Sequence, residues 1–250
     1  TYNFIIRFLV VACTAIFIYD QLVFRKDISS LIEYFDKVTY GFWSDFILIS
    51  VLLLIPVNIL FEGIKWQYLM RKLERISIYT ALKGVLAGIS VSMIMPNRIG
   101  DYLGRVFILK KADRFQAVLA TILGSLAQLL TTIIIGLIGV ILFIPDYFNI
   151  NIVLNYWIYI GIIMGVVITI VVLVFFYLNF SVFSVIIKKI SGKYYDKIQR
   201  YSNVFSWYNQ KELMNVLLLS IFRYLIFSMQ FYLLLKVFGV DIDYPVAMML

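Results

Sequence analysis

The residues of this chain best suited to chemistry gather at one break, Met95-Pro96-Asn97-Arg98-Ile99-Gly100-Asp101, followed by Arg105. Proline at 96 has no backbone donor and biases Met95 away from helix, so Asn97 can cap a helix that opens at Arg98. A helix start presents unpaired N–H groups and a partial positive charge. Arg98 adds a full positive charge in that first turn, where dipole logic favours an acid. Arg98, Asp101 and Arg105 follow at i, i+3 and i+7 on one face, and Asp101 and Arg105 have the acid-before-base spacing of a helix ion pair. Two chemistries fit. Arg98 and Arg105, with Asn97 and Gly100, hold an anion such as a lipid phosphate; or Asp101 neutralises an arginine and the set fastens the segment to a neighbour.

The arm ahead of the break, from Ile78, is apolar enough to enter a membrane, and charges placed behind such an arm are costly in lipid. The whole chain has that character. Of its 250 residues 63% are hydrophobic and 14% charged, with mean hydropathy +0.95. A soluble domain is about half apolar and roughly a quarter charged, so the fold class expected is an all-α polytopic membrane protein. Lys+Arg number 22 against 14 Asp+Glu. In a membrane protein this excess sets topology and faces anionic lipid, and nucleic acid is not an expected partner. One cysteine, Cys13, precludes a disulfide framework or a thiolate metal site. Histidine is absent, which removes the commonest general base and metal ligand. No metal or cofactor is expected, and enzyme chemistry is disfavoured.

The elements that must position the break follow from length and periodicity. Spans are expected near 4–24, 46–70, 115–143, 152–179 and 212–237, about five in all. Pro56 should kink the second, and Asn58 and Glu62 lie toward its end. Apolar residues at helical spacing over 27–45 suit an amphipathic surface helix anchored by Trp43. A basic surface helix is expected over 188–208, against an anionic leaflet. Thr121, Ser125, Gln128 and Thr132, continued by Gly136 and Gly139, form a polar and small stripe that should face protein, and Gly161-x-x-x-Gly165 is a weak close-packing signal. Arg223, in the middle of the last complete span, needs an interior partner: Asp101, Glu62, neighbouring carbonyls or the same anion. The chain reads as one transmembrane domain over 1–250, cut from a longer protein as a further helix begins near Pro245.

Basic residues concentrate at 65–75, 105–114 and 188–200, which the positive-inside rule assigns to the cytoplasm, with the N-terminus on that side of a cell membrane. A simple crossing by 78–95 would put the first two clusters on opposite sides. A re-entrant hairpin over 78–111, turning at Pro96-Asn97, removes the conflict, and Gly84, Gly88, Gly100 and Gly104 permit close approach of its arms. The competing arrangement is one full span followed by a charged interfacial helix.

These residues resemble a family, the lysylphosphatidylglycerol synthase transmembrane region, also called the flippase-like domain. Lys65-Trp66-Gln67-Tyr68-Leu69-Met70 is similar to its aromatic-basic patch, and Met95 to Asp101 with Arg105 is similar to its proline-glycine-arginine-x-glycine-glutamate break. The resemblance covers roughly Asn58 to Phe143. Asn97 stands where the family has glycine, and Asp101 where it has glutamate. Leu123-Gly124-Ser125 and Gln128 are uncharged where the family often has an acidic-basic pair, so no ion-coupled role is carried onto that helix. The aminoacyl-transferring domain of the synthases is absent from this segment, and synthase activity is not carried over.

The resemblance implies a lipid translocase for an anionic phospholipid or polyprenyl-phosphate-type lipid. Arg98 and Arg105 would engage the phosphate, Asp101 would hold their geometry, and Arg223 would add a second positive point. Pro96, Glu62, Lys65, Trp66 and Gln128 would support the site. Two other classes stay open. One is a membrane transferase using Asp241-x-Asp243 or a part beyond Leu250. The other is a non-catalytic membrane partner of a separate enzyme.

Overall fold

A computed structural model of the chain describes residues 42–93, 95, 99–147, 153–179 and 203–249. The expected span 4–24, the surface helix 27–45 up to residue 41, the residues Pro96, Asn97 and Arg98, and the basic helix 188–208 up to residue 202 lie outside the described residues. Seven α-helices are found there and no strands: α1 Phe42–Met70, α2 Ile78–Ser92, α3 Ile99–Val106, α4 Arg114–Tyr147, α5 Val153–Leu178, α6 Gln210–Val237 and α7 Tyr244–Met249, with a 3-10 turn at Asn203–Ser206. Four of them, α1, α4, α5 and α6, are long and apolar enough to cross a membrane, and α2 is a shorter apolar helix.

Local chemistry sets where these helices start. The Ser77 hydroxyl accepts from the Thr80 N–H at α2, and Asp113 Oδ1 accepts from the Phe115 and Gln116 N–H groups at α4. Asn209 and Glu212 form a reciprocal capping box at α6: Asn209 Oδ1 accepts from the Glu212 N–H, and Glu212 Oε2 from the Asn209 N–H. Pro56 lies inside α1, which runs through it without a break.

Contacts divide the chain into two compact units, residues 52–232 with 243–250, and residues 1–51 with 233–242. In the second, Lys236 Nζ lies 3.6 Å from Asp241, and Gly239 takes a left-handed φ of +72°. The first holds a core built from Trp66, Leu69 and Met70 of α1, Val85 of α2, Val106 of α3, Leu123 of α4 and Val216 of α6. Trp66 is nearly fully buried, and its indole Nε1 donates to Thr121 Oγ1 at 3.0 Å. Helix α5 joins this core at its C-terminal end, through Tyr177 with Leu173, Val174 and Leu178. It exposes Val167, Ile168, Val171 and Phe175, an apolar surface suited to lipid.

The helices α2 and α3 pack closely as a hairpin. A Cβ on Gly100 would stand 2.6 Å from the Val91 backbone, and one on Gly104 would stand 2.6 Å from the Ala87 carbonyl oxygen. Only glycine lets the two backbones meet at these points. The segments before and after the hairpin are tied together by Glu74, whose Oε2 accepts from the backbone N–H groups of Lys110, Lys111 and Ala112 at 3.2, 2.8 and 3.0 Å. The chain therefore enters and leaves the hairpin at one place.

The α4 stripe is only partly covered. Thr121 is buried beneath Trp66, and Gly124 faces Leu69, but Thr132 is exposed and a Cβ on Gly136 would meet nothing within 4 Å. Periodicity selects a helix face and does not say how far along it a neighbour reaches. Gly139 does have a neighbour, Met249 of α7, whereas Gly161 and Gly165 meet nothing within 4 Å among the described residues, which show no close packing at the glycine pair of α5.

Candidate functional site

The centre of the site is Glu62, about two turns before the end of a membrane-grade helix yet only 6% exposed. An ionised carboxylate there requires cations, and three converge on it from three helices. Lys65, one turn further along α1, places Nζ 2.8 Å from Glu62 Oε2. Arg105 of α3 donates from Nη1 to Glu62 Oε1 at 2.6 Å. Arg223 of α6 places Nη1 2.9 Å from Glu62 Oε2.

The other side of Arg105 faces its own helix. Its Nε and Nη2 donate to Asp101 Oδ1 and Oδ2 at 2.9 and 2.8 Å, the two-pronged fit of a planar guanidinium on a carboxylate. Gly88 of α2 makes room for this pair: a Cβ there would stand 2.5 Å from Asp101 Oδ1 and 3.0 Å from Arg105 Cγ. Arg105, 5% exposed, is thus clamped between Asp101 and Glu62 and locks α3 to α1.

Arg223 is held differently. Its Nε donates to Asn58 Oδ1 at 2.9 Å, and Nη1 also approaches Gln128 Oε1 at 3.5 Å. Its side chain stays 31% exposed, against 7% for Arg105 and 2% for Lys65. Counted together, Lys65, Arg105 and Arg223 balance Glu62 and Asp101 with one positive charge left over. The most open of the three cations is Arg223.

Of the residues singled out in the sequence, Glu62, Lys65, Asp101, Arg105, Arg223 and Gln128 come together in this cluster. Gly100 serves the hairpin contact with Val91, and Trp66 packs beside the cluster, its ring against Gly84. Pro96, Asn97 and Arg98 lie outside the described residues. Asn58 is the added member that holds Arg223. Its place one turn before Glu62 on the same helix is a signal that could have found it. Asp243 caps α7, its carbonyl accepting from the Ala247 N–H. Among the described residues no group of three side chains suited to a metal is found.

No curated protein and no solved structure matches this chain. The family described as the lysylphosphatidylglycerol synthase TM region matches residues 4–250. With four candidate spans and that match over nearly its whole length, the chain is a multi-pass membrane protein that belongs to the lysylphosphatidylglycerol synthase TM region family.

Proposed function

We propose that the protein is a membrane lipid translocase handling an anionic phospholipid or a polyprenyl-phosphate-type lipid, with Arg223 as the cation that meets the phosphate. The observation that carries this reading is the unequal use of the three cations around Glu62. Arg105 and Lys65 are buried against carboxylates, whereas Arg223 is part-open and belongs to a cluster with, among the described residues, one uncompensated positive charge. Net charge in a low-dielectric setting is costly, and an anion is the natural completion. Arg98, the residue before α3 in sequence, is the second cation of this reading.

The hairpin α2–α3 is read as re-entrant from the cytoplasmic side. The Glu74 tie supports this by joining its two ends. So does its size, since the 15 residues of α2 reach about 22 Å, short of the roughly 30 Å hydrocarbon core. The basic clusters at 65–75 and 105–114 then share the cytoplasmic face, with the N-terminus on that side of the cell membrane.

The test is leaflet exchange of a fluorescent anionic phospholipid in vesicles containing the purified protein. Arg223→Gln should lower exchange by about tenfold or more, the loss of one charge-assisted contact, while leaving the protein folded. Arg98→Glu should abolish it. Unchanged exchange in folded variants refutes the assignment.

A further inference from the structure

A second basic feature lies away from the Glu62 cluster. A cavity of about 600 Å³ opens beside the end of α1, lined by Tyr68, Arg71, Lys72, Arg75, Tyr208 and Glu212. This is the size of a small-molecule site. Arg71 is nine residues beyond Glu62, or about 13 Å along the chain axis, so the two sites do not share their cations.

The walls of the cavity are fixed. Tyr208 is 4% exposed, and its hydroxyl donates to the Leu69 carbonyl at 2.7 Å. The Arg71 guanidinium lies 5.1 Å over the Tyr68 ring, a cation–π contact that holds it without neutralising it. The Tyr68 hydroxyl accepts from Asn215 Nδ2 at 3.1 Å, which leaves its own proton to be donated elsewhere. Lys72 Nζ sits 2.8 Å from Glu212, and that carboxylate is itself held by the capping box of α6. Lys72 and Glu212 therefore cancel. Arg71 and Arg75 have no carboxylate within ion-pair distance among the described residues, and two guanidinium charges remain in a concave, tyrosine-walled pocket.

We propose that this pocket is a binding site for a dianionic phosphomonoester, borne by a lipid headgroup or by a soluble phosphate ester. Two arginine forks match the charge and the oxygen geometry of that group. The tyrosine walls suit a site at the level of the membrane surface, where one end of a bound molecule is apolar and the other wet. The site is defined by equilibrium binding and stands apart from any lipid movement through the Glu62 cluster.

The test is calorimetric titration of the full chain, in zwitterionic detergent micelles, with dioctanoyl phosphatidic acid and separately with glycerol 3-phosphate. It is run in native protein and in an Arg223→Gln background, where the central cluster no longer contributes its open cation. Paired Arg71→Gln and Arg75→Gln substitutions should weaken binding at least tenfold in both backgrounds. Paired Arg71→Lys and Arg75→Lys substitutions should recover part of it. Paired Lys110→Gln and Lys111→Gln substitutions, which remove the same charge from exposed residues outside the pocket, should change binding less than twofold. Tighter binding of the lipid assigns the site to a headgroup, and equal or tighter binding of glycerol 3-phosphate assigns it to a soluble ester. Absence of binding by native protein, no loss in the Arg71/Arg75 pair, or an equal loss in the Lys110/Lys111 pair overturns the proposal.

Discussion

Glu62 and Arg105, 43 residues apart in sequence, form a 2.6 Å ion pair that joins α1 to the second arm of the hairpin. Arg105 also grips Asp101 with two hydrogen bonds, so this contact braces α3 against α1. The cluster therefore separates two jobs that the sequence assigns to one set of residues. Arg105 holds the hairpin, and Arg223 is the cation left open.

That separation predicts opposite phenotypes for two neutral substitutions. Glu62→Gln strands Lys65 and Arg105 as buried cations with too few carboxylates, and should destabilise the protein by about 3–5 kcal/mol. Arg223→Gln, at a part-exposed position, leaves Glu62 paired with Lys65 and Arg105 and should cost about 1 kcal/mol or less in stability while lowering lipid exchange. Unfolding in detergent, read by loss of helical signal, measures the first; vesicle exchange measures the second. Equal destabilisation by both substitutions would contradict the division of roles.

The hairpin should be intolerant of a single added methyl group. In Gly104→Ala the new Cβ meets the Ala87 carbonyl oxygen and the Gly88 backbone, neither of which can swing aside. A loss of about 1–3 kcal/mol is expected, the usual cost of overpacking. Gly161→Ala and Gly165→Ala point into open space on α5 and should fall within about 0.5 kcal/mol of the native protein. Comparing thermal unfolding of the three variants decides the matter.

The tie at Glu74 gives a pH dependence with a definite sign. Its carboxyl is held below the ordinary carboxylate range, chiefly by the backbone hydrogen bond from Lys111 and further by those from Ala112 and Lys110. Stability contributed by a lowered carboxyl is fully present above the ordinary value and is lost as pH falls through the lowered one. Hydrogen-exchange protection of the amides at 110–112 should therefore be high at neutral pH and fall on acidification. Glu74→Gln should show low protection at all pH values. Protection that is independent of both pH and Glu74 would refute the tie.

The proposed re-entrant reading of the hairpin predicts how its tip is reached. With Cys13 replaced by serine, a cysteine at Asn97 should react with a membrane-impermeant maleimide only from the side that labels cysteines at Lys110 or Arg75. Labelling of position 97 from the opposite face alone would instead require that 78–95 cross the bilayer.

Membrane character, helical class and the positions of the described spans were legible in the chain because length and hydropathy alone decide them. Lipid demands runs of about 20 apolar residues, and nothing else in a sequence looks like one. The Asp101–Arg105 pair was equally legible, since i, i+4 neighbours on a helix meet whatever surrounds them. The partner of Arg223 was narrowed to Glu62 or Asp101 among the acids, and only the packing of α6 against α1 chose Glu62. That Glu62 should gather Arg105 and Arg223 besides its i+3 neighbour Lys65, or that Glu74 should close the hairpin by accepting three amides, has no local signal. Both contacts join segments brought together by tertiary packing. The α4 stripe shows the converse limit: its period marks a face, yet among the described residues Thr132 is exposed and Gly136 meets no neighbour, while Gly139 beyond them is covered by Met249. Solvent preference and local spacing are properties of the chain by itself. Which cation is buried and which is left open depends on where separate helices meet, and that is decided only by the folded structure.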